Sequence, residues 1–173
     1  MTAALARLNA RPPREAAEQL RGCCGSSRWV EAMLARRPFE SVADLLSAAD
    51  EAWRATGPED WDEAFSQHPR IGERHAAAPV SATALAWSAG EQGAAAGAGG
   101  WARSALARAN QAYQRRFGRI YIVCAAGRSA EALLADIAVR MNNDPDRERA
   151  IAAEEQRKIT RLRLETLMGA RES

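Results

Sequence analysis

Two histidines, His68 and His75, are the only imidazoles in this chain, and one of them stands where it could move a proton. His68 lies in the stretch Phe65-Ser66-Gln67-His68-Pro69-Arg70-Ile71-Gly72-Glu73. Imidazole has the ordinary side-chain pKa nearest neutrality, which makes it the first candidate for general acid or base chemistry. Proline pushes the residue before it out of the α region, so His68 is predicted at a helix end or on a loop, where functional groups are frequent. The plainer explanation is a polar residue that closes a helix, and His-Pro alone does not separate the two. His75, close to Pro79, reads as an exposed loop residue.

Three further segments carry polar groups that could join His68: Ser88 with Glu91 and Gln92, the apolar run from Ile120 to Ala125, and an arginine of the last helix. Helical periodicity singles out that arginine. At 100° per residue Ala152, Ile159, Leu162 and Leu167 share a face with Arg163 in its middle, while Arg161 points the opposite way and is solvated. An arginine on an apolar face needs a partner or a ligand. An ion pair with a buried acid such as Glu91, or a stem reaching water, explains Arg163 as well as a ligand does. Glu91 and Gln92, two polar residues in a Gly/Ala-rich piece, read alone as surface sooner than as site. Tyr121 and Ile122 read as core, Cys124 as an inert buried thiol, and Trp29, Trp53 and Trp61 as core anchors.

The elements that must position these groups are helices. Alanine, leucine, arginine and glutamate dominate, and β-branched residues are sparse. The first helix is predicted over Ala3 to Leu8, and Pro12-Pro13 starts a second that ends near Cys24 and Gly25. Ser26 or Ser27 caps a third, with Trp29, Val30, Met33 and Leu34, that stops at Pro38. Ser41 caps a fourth with Val42, Leu45, Leu46, Ala49 and Trp53 on one face, and Gly57-Pro58 opens a fifth that leads to His68. Ser81 caps a segment through Trp87, and Gly93 to Gly100 is almost all glycine and alanine. A long helix from Trp101 to Phe117 carries Trp101, Leu106, Ala109, Tyr113 and Phe117 as its apolar stripe and closes at Gly118. One β-like run, Ile120 to Ala125, cannot build a sheet alone and is read as a buried extended connector. Ser129 caps a helix from Ala130 to Met141, whose free amides favour an anion, and Pro145 starts the last helix, to about Met168. The fold class is all-α: a single-domain multi-helix bundle over 1–173 with one short buried extended connector.

Composition narrows the functions open to such a bundle. The 173 residues carry a net charge of +2 with acids and arginines interspersed, and Lys158 is the only lysine. A nucleic-acid module would gather its basic residues on one face. No stretch approaches the roughly 20 apolar residues of a membrane span. The first fourteen residues lack the apolar core of a signal peptide, and the chain does not close on Ser-Lys-Leu. Cys23, Cys24 and Cys124 form neither a disulfide framework nor a zinc spacing, which points to a reducing, cytoplasmic setting.

In order along the chain these pieces resemble the OHCU decarboxylase family, where OHCU is 2-oxo-4-hydroxy-4-carboxy-5-ureidoimidazoline. The resemblance rests on Cys24-Gly25-Ser26-Ser27-Arg28-Trp29-Val30, on Phe65 with His68-Pro69-Arg70-Ile71-Gly72, and on Ser88 with Glu91-Gln92. It continues through Asn110, Tyr113, Phe117-Gly118, Ile122-Val123-Cys124 and Gly127-Arg128-Ser129 to Arg140, Asn142, Glu154, Ile159 and Leu162-Arg163-Leu164. It implies an all-helical homodimer with no metal and no organic cofactor, acting on OHCU in the last step from urate to (S)-allantoin and coupled in function to 5-hydroxyisourate hydrolase. It implies His68 as catalytic acid with Glu91 and Arg163 beside the substrate. Pro69, Ser88, Gln92 and the backbone of Tyr121, Ile122, Val123, Cys124 and Ala125 would line the pocket.

The implied chemistry suits these side chains. Loss of CO2 from a carbon next to C=N sends the electron pair into the ring, which is its own electron sink. Protonation of the ureido-bearing carbon on one face then sets the product's hand. Glu91 would accept a hydrogen bond from the substrate hydroxyl, and Arg163 would hold an anionic or carbonyl oxygen. Two other classes remain to be weighed: a non-catalytic helical ligand-binding or scaffold protein, against which intact His68, Glu91, Gln92 and Arg163 argue, and an arginine-rich nucleic-acid module, which the small net charge disfavours.

Overall fold

The structure is a computed structural model that describes residues 2–68 and 100–169. All regular structure among the described residues is helical, in eight elements. They are α1 (Ala3–Ala10), α2 (Pro13–Cys23), α3 (Ser27–Arg36), α4 (Val42–Arg54), α5 (Pro58–Ser66), α6 (Gly100–Phe117), α7 (Ala130–Arg140) and α8 (Pro145–Leu167). Local chemistry accounts for most of their ends. Thr2, Ser26, Ser41 and Ser129 each turn a side-chain oxygen onto a first-turn amide of α1, α3, α4 and α7. Gly118 takes φ +72° after α6, a conformation that favours glycine, and its amide donates to Gln114 O at 2.9 Å. α1 runs two residues past its predicted end. Arg37, reached from the end of α3, donates to Leu8 O at 2.9 Å and Arg11 O at 3.0 Å and so satisfies carbonyls at that end.

The chain divides into two compact units. The first contains residues up to Ala64 together with those from Arg157 on. Its core is Leu5, Leu8, Leu20, Trp29, Met33, Phe39 and Leu45, all at most 1 % exposed. Trp29 donates its indole N–H to Ala49 O at 3.0 Å, tying α3 to α4 as an anchor should. The second runs from Phe65 to Gln156 and packs α6 and α7 around Leu106, Tyr113, Phe117, Tyr121, Val123, Leu133 and Ile137.

One residue of the predicted α6 stripe falls elsewhere. Trp101 is 69 % exposed, whereas Ala102, Leu106, Tyr113 and Phe117 are buried. At 100° per residue Trp101 lies about 140° around the helix from Leu106, so it belongs to the other flank. On α8 the buried line is likewise narrower than its apolar residues suggest: Ala152 and Ile159 are buried, Leu162 and Leu167 only half-buried.

Candidate active site

His68 lies two residues beyond α5, and its amide donates to Phe65 O at 3.2 Å. Its ring Nε2 is 2.7 Å from Oε1 of Gln156, a fully buried amide on α8. The ring is half-buried. The proline signal therefore places His68 as predicted, at a helix end, and a glutamine 88 residues away holds it.

The run from Ile120 to Ala125 forms neither helix nor strand, and Tyr121, Ile122, Val123 and Ala125 are buried in it. Buried backbone needs partners, and without a sheet they must come from side chains. Glu155, next to Gln156 on α8, accepts from the Cys124 amide at 2.8 Å. Arg140 Nη1 donates to Ile122 O at 2.8 Å. The Tyr121 hydroxyl donates to Asp136 on α7. Cys124 itself is half-buried, more open than its apolar neighbours predicted.

Arg140 joins the connector to a second buried carboxylate. Its Nε donates to Glu148 at 2.7 Å, and its guanidinium lies 4.7 Å from the Tyr121 ring centre. Glu148 is fully buried and also accepts from the Tyr113 hydroxyl and, at 2.7 Å, from Asn143 Nδ2. Burial, then donation to a carboxylate, pushes both the Tyr113 and Tyr121 phenols far above the ordinary range.

Arg163 lies in the other unit, on the C-terminal half of α8, and is 3 % exposed, as its apolar face predicts. Its Nη1 donates to Gly22 O in the last turn of α2 at 3.3 Å, where the helix dipole favours a cation. Arg161 points away and pairs with Asp50 and Glu165. Near Arg163 the Cys24 thiol is hydrogen-bonded to Thr160, and burial pushes it up to about 11. Ser27, at the start of α3, donates its amide and hydroxyl to Glu63 at 2.8 and 2.6 Å. Pro69, Ser88, Glu91 and Gln92, and with them His75, lie outside the described residues.

The OHCU decarboxylase family model matches residues 9–165. The chain belongs to the OHCU decarboxylase family. It is 36% identical over 148 residues to the uric acid degradation bifunctional protein TTL of Arabidopsis thaliana, a match that covers 85% of this chain and 45% of that protein. It is 39% identical over 61 residues to the 2-oxo-4-hydroxy-4-carboxy-5-ureidoimidazoline decarboxylase of Amia calva, covering 35% of each. The matched stretch is thus less than half the length of either curated relative. Among solved structures, an OHCU decarboxylase crystallised in the presence of (S)-allantoin superposes with a TM-score of 0.74 at 34% identity, covering 88% of this chain and 98% of that one. A crystal structure of (S)-allantoin synthase shares the fold, with a TM-score of 0.66 at 20% identity, covering 94% of this chain and 53% of that one.

Within this OHCU decarboxylase family chain, sequence reasoning missed Gln156, Glu155 and Glu148. Gln156 and Arg163 are seven residues apart, close to two turns of α8, so the periodicity that marked Arg163 marks Gln156 as well. That signal was open to reading. Partner identity was not, because nothing local pairs residue 156 with residue 68 or residue 148 with residue 140.

Proposed function

We propose that this chain decarboxylates 2-oxo-4-hydroxy-4-carboxy-5-ureidoimidazoline to (S)-allantoin in urate degradation, as a carboxy-lyase that needs no cofactor. The observation that carries this reading is the family match across residues 9–165, which takes in every residue proposed for the site. Arg163, a buried guanidinium, holds an oxygen of the substrate in its planar fork. Glu91 accepts from the hydroxyl and orients the ring. Pro69, Ser88, Gln92 and the backbone of Tyr121, Ile122, Val123, Cys124 and Ala125 line the pocket. The carboxylate leaves as CO2 and its electron pair moves into the ring C=N. His68 then delivers a proton to the ureido-bearing carbon from one face. The reaction takes up one proton overall, which solvent returns to the imidazole.

The test is His68→Ala, assayed on substrate made in the cuvette from urate with urate oxidase and 5-hydroxyisourate hydrolase. A positioned acid is worth about 10²–10⁴-fold, and the variant is expected to lose that much. Full stereoselective activity in His68→Ala would reject the assignment.

The protein is proposed to work in the cytoplasm, where its three unbridged cysteines would stay reduced, and in sequence with the hydrolase that supplies its substrate. A uric acid degradation relative that is bifunctional supports that coupling. A homodimer is proposed on the same resemblance. Sedimentation velocity is expected to give twice the chain mass of 18.7 kDa, and a single-chain mass would contradict the dimer.

A further inference from the structure

Nε2 of His68 lies 2.7 Å from an atom that can only accept, the Oε1 of Gln156. A hydrogen must therefore sit on Nε2 whether the ring is neutral or charged. Gln156 is fully buried on α8, and its neighbour Glu155 holds the Cys124 amide, so one turn of α8 fixes both the imidazole and the connector. An amide is neutral, so it sets which nitrogen carries the hydrogen without supplying a counter-charge. We propose that Gln156 is a positioning residue that locks His68 in the Nε2–H tautomer and thereby assigns proton delivery to Nδ1.

This deepens the decarboxylase reading and rests on it. The charged imidazole carries hydrogens on both nitrogens. The Nδ1 hydrogen passes to the ureido-bearing carbon, the N–H electron pair stays on Nδ1, and the Nε2 hydrogen stays on Nε2, donated to Gln156 Oε1. What remains is the neutral Nε2–H tautomer, and a solvent proton on Nδ1 restores the cation. Were the tautomer free, some of the neutral rings would carry their hydrogen on Nδ1. Those rings would turn a bare Nε2 lone pair onto the Gln156 oxygen, a repulsive contact in place of a hydrogen bond. An amide that holds the far nitrogen of the ring acts as the orienting partners of reactive histidines generally do.

With only two histidines in the chain, the ¹⁵N spectrum of the imidazoles is simple to assign, using His68→Asn to identify His68. In mildly alkaline buffer the wild-type His68 is expected as the Nε2–H tautomer. An Nδ1–H tautomer, or a mixture, would overturn the proposal without any substitution at Gln156. Gln156→Leu is expected to release the tautomer and to lower kcat tenfold or more, inside the roughly 10²–10⁴-fold that a positioned acid supplies, with KM nearly unchanged. A folded Gln156→Leu with wild-type kcat would also overturn it. Gln156→Glu keeps an acceptor at the same place and is expected to retain the Nε2–H signature; losing that signature would count against the proposal even if Gln156→Leu does not fold. A wild-type protein with the fixed tautomer but no decarboxylation would reject the reaction reading alone.

Discussion

Cys24 stands one residue past α2, 1 % exposed, hydrogen-bonded to Thr160 and close to Arg163. Burial holds its thiol at about 11 against an ordinary 9.0, because the thiolate is poorly solvated there. The folded state thus binds this proton more tightly than the unfolded chain does. Its contribution is fully present below pH 9 and is lost as the pH rises toward 11. Two pKa units correspond to about 2–3 kcal/mol. Cys24→Ala is expected to decline less than wild type between pH 8 and pH 11 in urea unfolding, by that order. Parallel declines would show that Cys24 titrates as an ordinary thiol. Burial at this residue was not readable from Cys23-Cys24 alone, whereas burial of Arg163 was. An arginine centred on an apolar helical face has a physical signature; a cysteine at a helix end has none. Gln156 carried the same signature as Arg163, but a neutral amide on a buried face raises less question than a charge, since its desolvation costs less.

The connector from Ile120 to Ala125 shows how an apolar run folds when no second strand exists for it. Its β-like composition builds no strand, because helix side chains replace the missing ladder. Arg140 supplies one such bond and neutralises the buried Glu148. Arg140→Met removes both and leaves a carboxylate with 0 % exposure short of its cation. The expected cost is about 3–5 kcal/mol in urea unfolding, with the transition still cooperative. A loss under about 1 kcal/mol would show that Tyr113 and Asn143 suffice to hold Glu148. Element ends set by Pro12, Ser41, Gly118 and Ser129 were legible, since caps and breakers act within a few residues. Trp101 was misplaced for the opposite reason. A stripe drawn too wide admits a residue 140° away, and only a tighter angular reading excludes it.

At the scale of the whole molecule, composition and order of motifs carried more than any single element. Interspersed charge argued against a nucleic-acid surface, and no helix among the described residues is long and apolar enough to cross a membrane. The ordered series from Cys24 to Leu164 pointed to the family before any fold was known, and the family match from 9 to 165 bears that out. The division into two compact units was not legible, because no linker composition marks it: Ala64 and Phe65 sit inside α5, and Gln156 and Arg157 inside α8. Facial protonation after loss of CO2 is measured directly by circular dichroism. Substrate generated in the cuvette from urate is followed with and without this protein. Rapid growth of a signal of (S)-allantoin sign is expected, lost with His68→Ala. A trace that matches uncatalysed decay, from protein shown to be folded, would contradict it.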